Sequence, residues 1–293
     1  MLPDRPPHSS AYARNMLTAA KVTIRSKVMG LGRRIVTHSG KWMITEPTDQ
    51  HELTELLRRL HPVLPPQGLR RIGPPGDGGY LIPDDLEGIA ACFSPGVGEL
   101  SGFELDCVEL GMRAHLADAS VVSPQFADDR LDFIPKFVRA IADDQSVTLG
   151  DWVHDTEPDQ SQELMLQIDI EGDEWGVFLG ASSALLERFR VIVVEFHELH
   201  RLFDSNAFPL MRLAFNKILE NHVCVHIHPN NCAPAQTIGE IRLPFVAEFT
   251  FLRRDRIDFA SAPYATQFPH PLDADSTTWN PPMTLPSSLY RAN

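Results

Sequence analysis

The chain has 293 residues, a formal net charge of −13, 43% hydrophobic and 22% charged residues, and four cysteines. That length builds one large domain with appendages, or two small ones. No run nears the roughly 20 apolar residues that cross a bilayer, and no apolar block of secretory type follows Met1. Cys92, Cys107, Cys224 and Cys232 form no Cys-x-x-Cys pair, which excludes a disulfide scaffold and points to a reducing, cytoplasmic setting. Charge is unevenly placed: residues 1–45 hold eight Lys and Arg against Asp4 alone, a net of +7, which leaves −20 for the rest. So acidic a body argues against nucleic acid as a partner and suits a neutral or cationic small molecule.

Residues 12–36 read as a basic amphipathic helix carrying Met16, Ala19, Ala20, Ile24 and Val28 on one face. Such a segment packs on the main domain or makes peripheral contact with a membrane surface. A helix over 49–60 follows, with Asp49 as N-cap, Glu52 completing a capping box, and Leu53, Leu56, Leu57 and Leu60 aligned. His61–Gly68 reads as a linker.

From residue 70 apolar runs alternate with helical stretches. Strands are expected at 89–93, 113–116, 164–170, 191–196, 223–228 and 248–252, and helices near 102–110, 131–142, 174–187 and 207–221. That alternation predicts an α/β fold with a mostly parallel sheet covered by helices on both faces. The division expected is an N-terminal helical extension and linker over 1–68, the main domain over 69–260, and an extended tail over 261–293 that contains six prolines.

The segment from Cys92 to Ser101 follows a strand and precedes a helix. Gly96 and Gly98 allow a tight turn beside a ligand, with Ser94 ahead of them, while Ser101 stands where a third glycine is usual. The next strand ends in Asp118, 20 positions after Gly98, where a carboxylate accepts hydrogen bonds from a ribose diol. The pair predicts an adenosine-containing cofactor without separating a nicotinamide from S-adenosylmethionine.

Four further segments carry a resemblance. They are Arg71–Ile82, Leu166–Trp175 and Val193–His197 followed by His226–Asn231. Leu166–Trp175 resembles the Lys-Ile-Asp-x-Glu-Gly-x-Glu strand of the FkbM-type methyltransferases, and the others resemble that family's opening motif and later strands. Gln167 stands in place of the usual Lys, and Asp173 in place of a common Ala. The resemblance spans roughly residues 70–255. It implies a Rossmann-like class I methyltransferase fold, S-adenosylmethionine as cofactor, and O-methylation of a hydroxyl on a sugar or natural-product acceptor.

The acids of this block fall at the carboxyl end of a buried strand, where open α/β sheets bind ligands. Asp169 and Glu171 are therefore expected in the site, where they attract the sulfonium or a divalent cation such as magnesium. Asp173 and Glu174 are expected to cap the next helix. His197-Glu198-Leu199-His200 lacks the four-residue histidine spacing of a zinc protease. His226 and His228 share a strand face and, with Asn230 and Asn231, either line a pocket or are satisfied edge residues.

In the expected mechanism Gly96, Gly98 and Asp118 hold the donor, Asp77 and Tyr80 close over it, Glu171 or His197 takes the proton, and Asp169 orients the substrate or a metal. Two rivals are a nicotinamide oxidoreductase, disfavoured by the lack of a Tyr-x-x-x-Lys pair after the fourth strand, and a non-catalytic binding module.

Overall fold

The computed structural model describes residues 45–97, 102–123 and 128–291, so the basic helix expected over 12–36 and Gly98 lie outside the described residues. The first helix, α1, spans Gln50–Arg59, and Asp49 Oδ1 accepts from the backbone N–H groups of His51 (2.9 Å) and Glu52 (3.1 Å). Glu52 does not close the capping box, because its carboxylate turns out to Arg212 at 3.4 Å. Leu53, Leu56, Leu57 and Leu60 are buried on one face.

A hairpin of β1 (Leu69–Ile72) and β2 (Tyr80–Pro83) precedes β3 (Ile89–Pro95), α2 (Gly102–Glu109), β4 (Arg113–Ala117) and β5 (Leu131–Ile134). Two short strands, β6 (Phe137–Val138) and β7 (Ser146–Val147), lead into α3 (Leu149–Thr156), whose N-cap Thr148 accepts from Asp151 N–H. Then come β8 (Glu163–Ile168), α4 (Glu174–Gly180), α5 (Ser183–Arg188), β9 (Phe189–Phe196), a 3₁₀ turn at Leu199–Phe203, and α6 (Phe208–Asn221). Strands β10 (His222–Pro229), β11 (Ala235–Ile238), β12 (Ile241–Pro244) and β13 (Ala247–Arg253) complete the regular structure.

The result is a mixed α/β fold around a seven-stranded sheet in the order β10-β13-β9-β8-β3-β4-β5. β13 runs antiparallel to both of its neighbours, and the other six strands point one way. On one face the leucines of α1 join residues from α3, α4, α5 and α6 in the larger core. On the other face α2 and the β1–β2 hairpin cover Cys92, Met165, Val191, Val193 and Val225.

Two expected helices are corrected. Residues 131–142 form no helix: Leu131 and Phe133 pack on one side as the edge strand β5, and Pro135 forbids a helical turn through it. The helix expected over 174–187 breaks at Ala181, which is extended, and Ser182 caps a new start through Leu185 N–H. The hairpin and α3 have no counterpart in the sequence reading.

After Arg256 the described chain has little regular structure but stays anchored. Leu285 and Leu289 enter the larger core, and Asn231 holds the backbone of Thr277 by N–H···Oδ1 (2.9 Å) and Nδ2–H···O (2.8 Å) bonds.

Candidate functional site

The strand order reverses between β3 and β8: from β3 the chain moves outward to β4 and β5, whereas β8 and β9 lie on its other side. Ligands in open α/β sheets sit at the carboxyl ends of the strands at such a point. A cavity of about 490 Å³ opens there, lined by Asp77, Tyr80, Gly96, Asp118, Asp169 and Glu171 among the residues expected from sequence. Glu104, Asp173 and Gln167 line it as well, and among the described residues no Lys or Arg does.

Gly96 has φ +88°, and a Cβ there would lie 1.5 Å from the Asp169 carbonyl oxygen. The glycine is required because β3 and the end of β8 cross in contact, with Asp169 N–H donating to Pro95 O at 3.2 Å. Asp118 is buried at the end of β4, and its Oδ1 accepts from Ser120 N–H (2.7 Å) and Oγ–H (2.6 Å). The loop carrying Asp77 is held by Arg71, which donates to Pro74 O (2.9 Å) and Gly76 O (2.7 Å).

Ser94 does not line the cavity but lies buried beneath it. Its Oγ is within hydrogen-bond distance of Glu104 Oε1 and 2.6 Å from Gln167 Oε1, and Gln167 Nε2 donates to Tyr80 Oη at 3.3 Å. One hydroxyl proton cannot serve two acceptor oxygens, so either Glu104 carries a proton or the Gln167 amide is turned to donate to Ser94 and accept from Tyr80. Burial pushes the Glu104 carboxyl up to about 7, the Ser94 bond opposing it. Glu104 Oε2 is buried without a hydrogen-bond partner.

Residues in register on neighbouring strands share a face. One row holds Gln167, Val193, Thr250 and His226; in the next, Glu195, Glu248 and His228 are in register, with Asp169 just past the end of β8. Burial first, then Glu195, pushes the Asp169 carboxyl well up, and burial with Glu248 and Asp77 does the same for Glu195. Glu248 is raised chiefly by burial, against the pull of Arg71.

Glu174 is fully buried and does not cap the helix it begins. Its Oε1 accepts from Ile170 N–H (2.9 Å) and Gly172 N–H (3.2 Å) and lies 3.1 Å from His197 Nδ1. Asp173 makes no capping bond either and accepts from Arg139 Nε at 3.1 Å. His197 therefore turns Nε2 toward Glu171 Oε2 (3.3 Å), Glu195 Oε1 (3.7 Å) and Asp169 Oδ1 (3.9 Å). Burial alone would lower its pKa, but Glu174, Asp169 and Glu171 outweigh burial and raise it. Glu171 has φ +58°, an uncommon left-handed conformation for a side chain, and is largely exposed.

The other histidines lie apart from the cavity. His200 stacks on Phe245. His226 Nε2 is 2.8 Å from Asp273 Oδ1 and His228 Nδ1 is 3.3 Å from Oδ2, so this strand face anchors the C-terminal segment. Burial would raise Asp273, but its bonds to both histidines hold it well below the usual carboxylate range.

The sequence reading missed Glu104, Glu195 and Glu248. A signal for two of them exists: Glu195 and Glu248 interrupt strands whose neighbours are apolar and fully buried. An acid there costs too much to be incidental.

Residues 115–222 match the family model described as the methyltransferase FkbM domain, a stretch running from β4 to the start of β10. No curated protein matches the chain. Among solved structures it is similar to a proposed DNA modification methyltransferase encoded within a prophage (E. coli), at 12% identity, covering 57% of this chain and 47% of that one, with a TM-score of 0.34. It is also similar to bluetongue virus VP4, an RNA-capping protein (14% identity, 76% and 29% covered, TM-score 0.30). A third is a proposed RNA methyltransferase from Pyrococcus horikoshii (10% identity, 70% and 99% covered, TM-score 0.28). The chain thus spans about half the length of the first structure and under a third of the second. Scores this low carry no inference about chemistry. Among the described residues no helix is long and apolar enough to cross a membrane.

Proposed function

We propose, on the match of residues 115–222 to the methyltransferase FkbM domain model, that the protein transfers the methyl group of S-adenosylmethionine to a hydroxyl oxygen of a small sugar-like or natural-product acceptor. The observation that carries the reading is the cavity at the strand switch, lined by Asp77, Glu104, Asp118, Asp169, Glu171 and Asp173, with no Lys or Arg among the described lining residues. Its volume of about 490 Å³ lies in the range of small-ligand sites. The donor carries a sulfonium and an ammonium, and both fit this field. The pyrophosphate of a nicotinamide cofactor and the phosphates of a nucleic-acid acceptor would be repelled by it. The seven-strand order with one antiparallel strand supports a Rossmann-like class I fold. The cytoplasmic setting and a peripheral membrane contact through the basic N-terminal segment are proposals resting on sequence alone.

When bound, S-adenosylmethionine supplies a methyl carbon already activated by its sulfonium. Asp118 accepts from the ribose diol, and Gly96 keeps the wall beside it free of a side chain. Glu104, with Oε2 unpartnered, receives the donor's ammonium. Tyr80 and Asp77 close the cavity from the hairpin side. Glu171 takes the proton of the acceptor hydroxyl: among the acids that face His197 it is the largely exposed one, and so can pass the proton to water. Asp169 and His197 orient the hydroxyl oxygen.

The test is transfer of labelled methyl to a panel of neutral polyols, phenols and amino sugars. Label found only on oxygen acceptors supports the reading. Label found only on nitrogen, or on no small acceptor but on nucleic acid, sinks it.

Glu104 adds a pH prediction. Its raised pKa means that its stabilising contribution is present below the unfolded value and is lost as pH rises through about 7. Above that pH the buried carboxylate costs the free protein up to roughly 3 kcal/mol and favours the cationic ligand. Between pH 6 and 7.5 donor affinity should therefore rise several-fold. Glu104→Gln should melt higher than wild type at pH 8, bind the donor at least about tenfold more weakly, and lose the pH slope. Scanning calorimetry and titration calorimetry at the two pH values check this. A pH-independent wild-type affinity would remove Glu104 from the site.

A further inference from the structure

We propose that Asp169, Glu195 and His197 bind a divalent transition-metal ion of the zinc, cobalt or manganese type, at a site that leaves one position open to the cavity. One ligand atom from each residue lies within 4.8 Å of the others. His197 Nε2 stands 3.7 Å from Glu195 Oε1 and 3.9 Å from Asp169 Oδ1, too far for a hydrogen bond. Those gaps approach the edges of a tetrahedral site, where metal–ligand bonds of about 2.0–2.2 Å set neighbouring ligands about 3.3–3.6 Å apart.

Two independent features point to an ion rather than a solvated acidic patch. The first is the orientation of the ring. Glu174 is fully buried, is itself fixed by two backbone N–H groups, and holds His197 at Nδ1. This carboxylate–histidine arrangement turns Nε2, which also lies 3.3 Å from the exposed Glu171 Oε2, toward the other acids as the ligand nitrogen, the usual support of a metal-bound imidazole. The second is unmet polarity. Asp169 Oδ1 is buried without a hydrogen-bond partner. Glu248 is only 7% exposed, stands beside Glu195 in register, and makes no side-chain hydrogen bond among the described residues. Buried carboxylates packed together need a compensating cation or a shared proton, and the aimed imidazole beside them favours the cation. The nearby guanidinium of Arg71 is engaged by the carbonyls of Pro74, Gly76 and Leu272.

The mixed imidazole and carboxylate set selects zinc, cobalt or manganese over the magnesium expected from the acids alone, because magnesium prefers an all-oxygen shell. Asp169 and the neighbouring Glu171 both line the cavity, so the open position faces the acceptor. The site itself stands on its ligand geometry, and its use rests on the methyl-transfer reading above. In that use the ion polarises the acceptor hydroxyl. As the O–CH₃ bond forms and the methyl–sulfur bond breaks, the proton passes to Glu171.

The test is titration of the metal-stripped full chain with Co²⁺, followed by visible absorption, and with Zn²⁺ by competition against a chromophoric chelator, both without methyl donor. One saturable site per chain is expected, with cobalt bands that Zn²⁺ abolishes. Glu195→Gln and His197→Ala, shown folded by circular dichroism, should weaken binding by more than about a hundredfold, and Glu174→Gln by about 10–100-fold. Asp173→Asn, in the same cavity wall, should leave it unchanged. No saturable binding, or equal binding by the Glu195 and His197 variants, overturns the site. Donor binding measured on the same stripped protein keeps the two readings apart: intact donor binding with no metal binding sinks only the metal site. Metal binding with no donor binding keeps the site and removes its assigned use.

Discussion

Glu171→Gln is expected to slow methyl transfer by roughly 10²–10⁴-fold while donor affinity stays within about twofold of wild type. The side chain is largely exposed, so little folding energy depends on it, and the amide keeps its size while losing its basicity. Its backbone at φ +58° holds the carboxylate beside His197, and glutamine tolerates that conformation no worse. Single-turnover rates with saturating donor separate chemistry from binding. A variant as fast as wild type would move the base to another residue.

Gly96→Ala carries the second large effect. The added methyl would sit 1.5 Å from the Asp169 carbonyl oxygen at a φ of +88°, so the β3 loop and the end of β8 must separate. A loss of roughly 3–5 kcal/mol is expected, a fall in melting temperature of about 10 °C, together with loss of donor binding. Gly111 is the control, with φ +94° but nothing within 4 Å of a Cβ. Gly111→Ala should cost only the backbone strain, about 1–3 kcal/mol, and leave the cavity intact. Equal melting temperatures for the two variants would remove the steric role of Gly96.

How far the sequence reached follows from which forces were local. The six expected strands are all present because each is mostly buried, and buried stretches rich in apolar residues advertise themselves by composition. Asp77, Tyr80, Gly96, Asp118, Asp169 and Glu171 could be picked out because they fall at strand ends or in motif loops, and the fold brings them to one cavity. Residues 131–142 misled because apolar residues spaced for a helix coexist with Pro135, and the edge position beside β4 decided for a strand. Glu104 could not be found from its own surroundings. It matters only because α2 carries it over Ser94, a contact ten residues apart in the chain and set by the β3–α2 crossing. Glu195 and Glu248 were legible as anomalies, acids inside buried strands, but their partnership needs the antiparallel insertion of β13 beside β9. His197 was expected to act, yet Glu174, which aims it, read as a helix cap.

We propose that the cavity at the β3–β8 switch holds S-adenosylmethionine through Asp118. Calorimetric titration of the donor and its demethylated product into wild type, Asp118→Ala and Asp118→Asn tests it most directly. Saturable binding by wild type is expected, weakened about 10–150-fold in both variants, as loss of a charge-assisted hydrogen bond of about 1.5–3 kcal/mol requires. Folded wild type that binds neither compound, or variants that bind as tightly as wild type, would contradict the account.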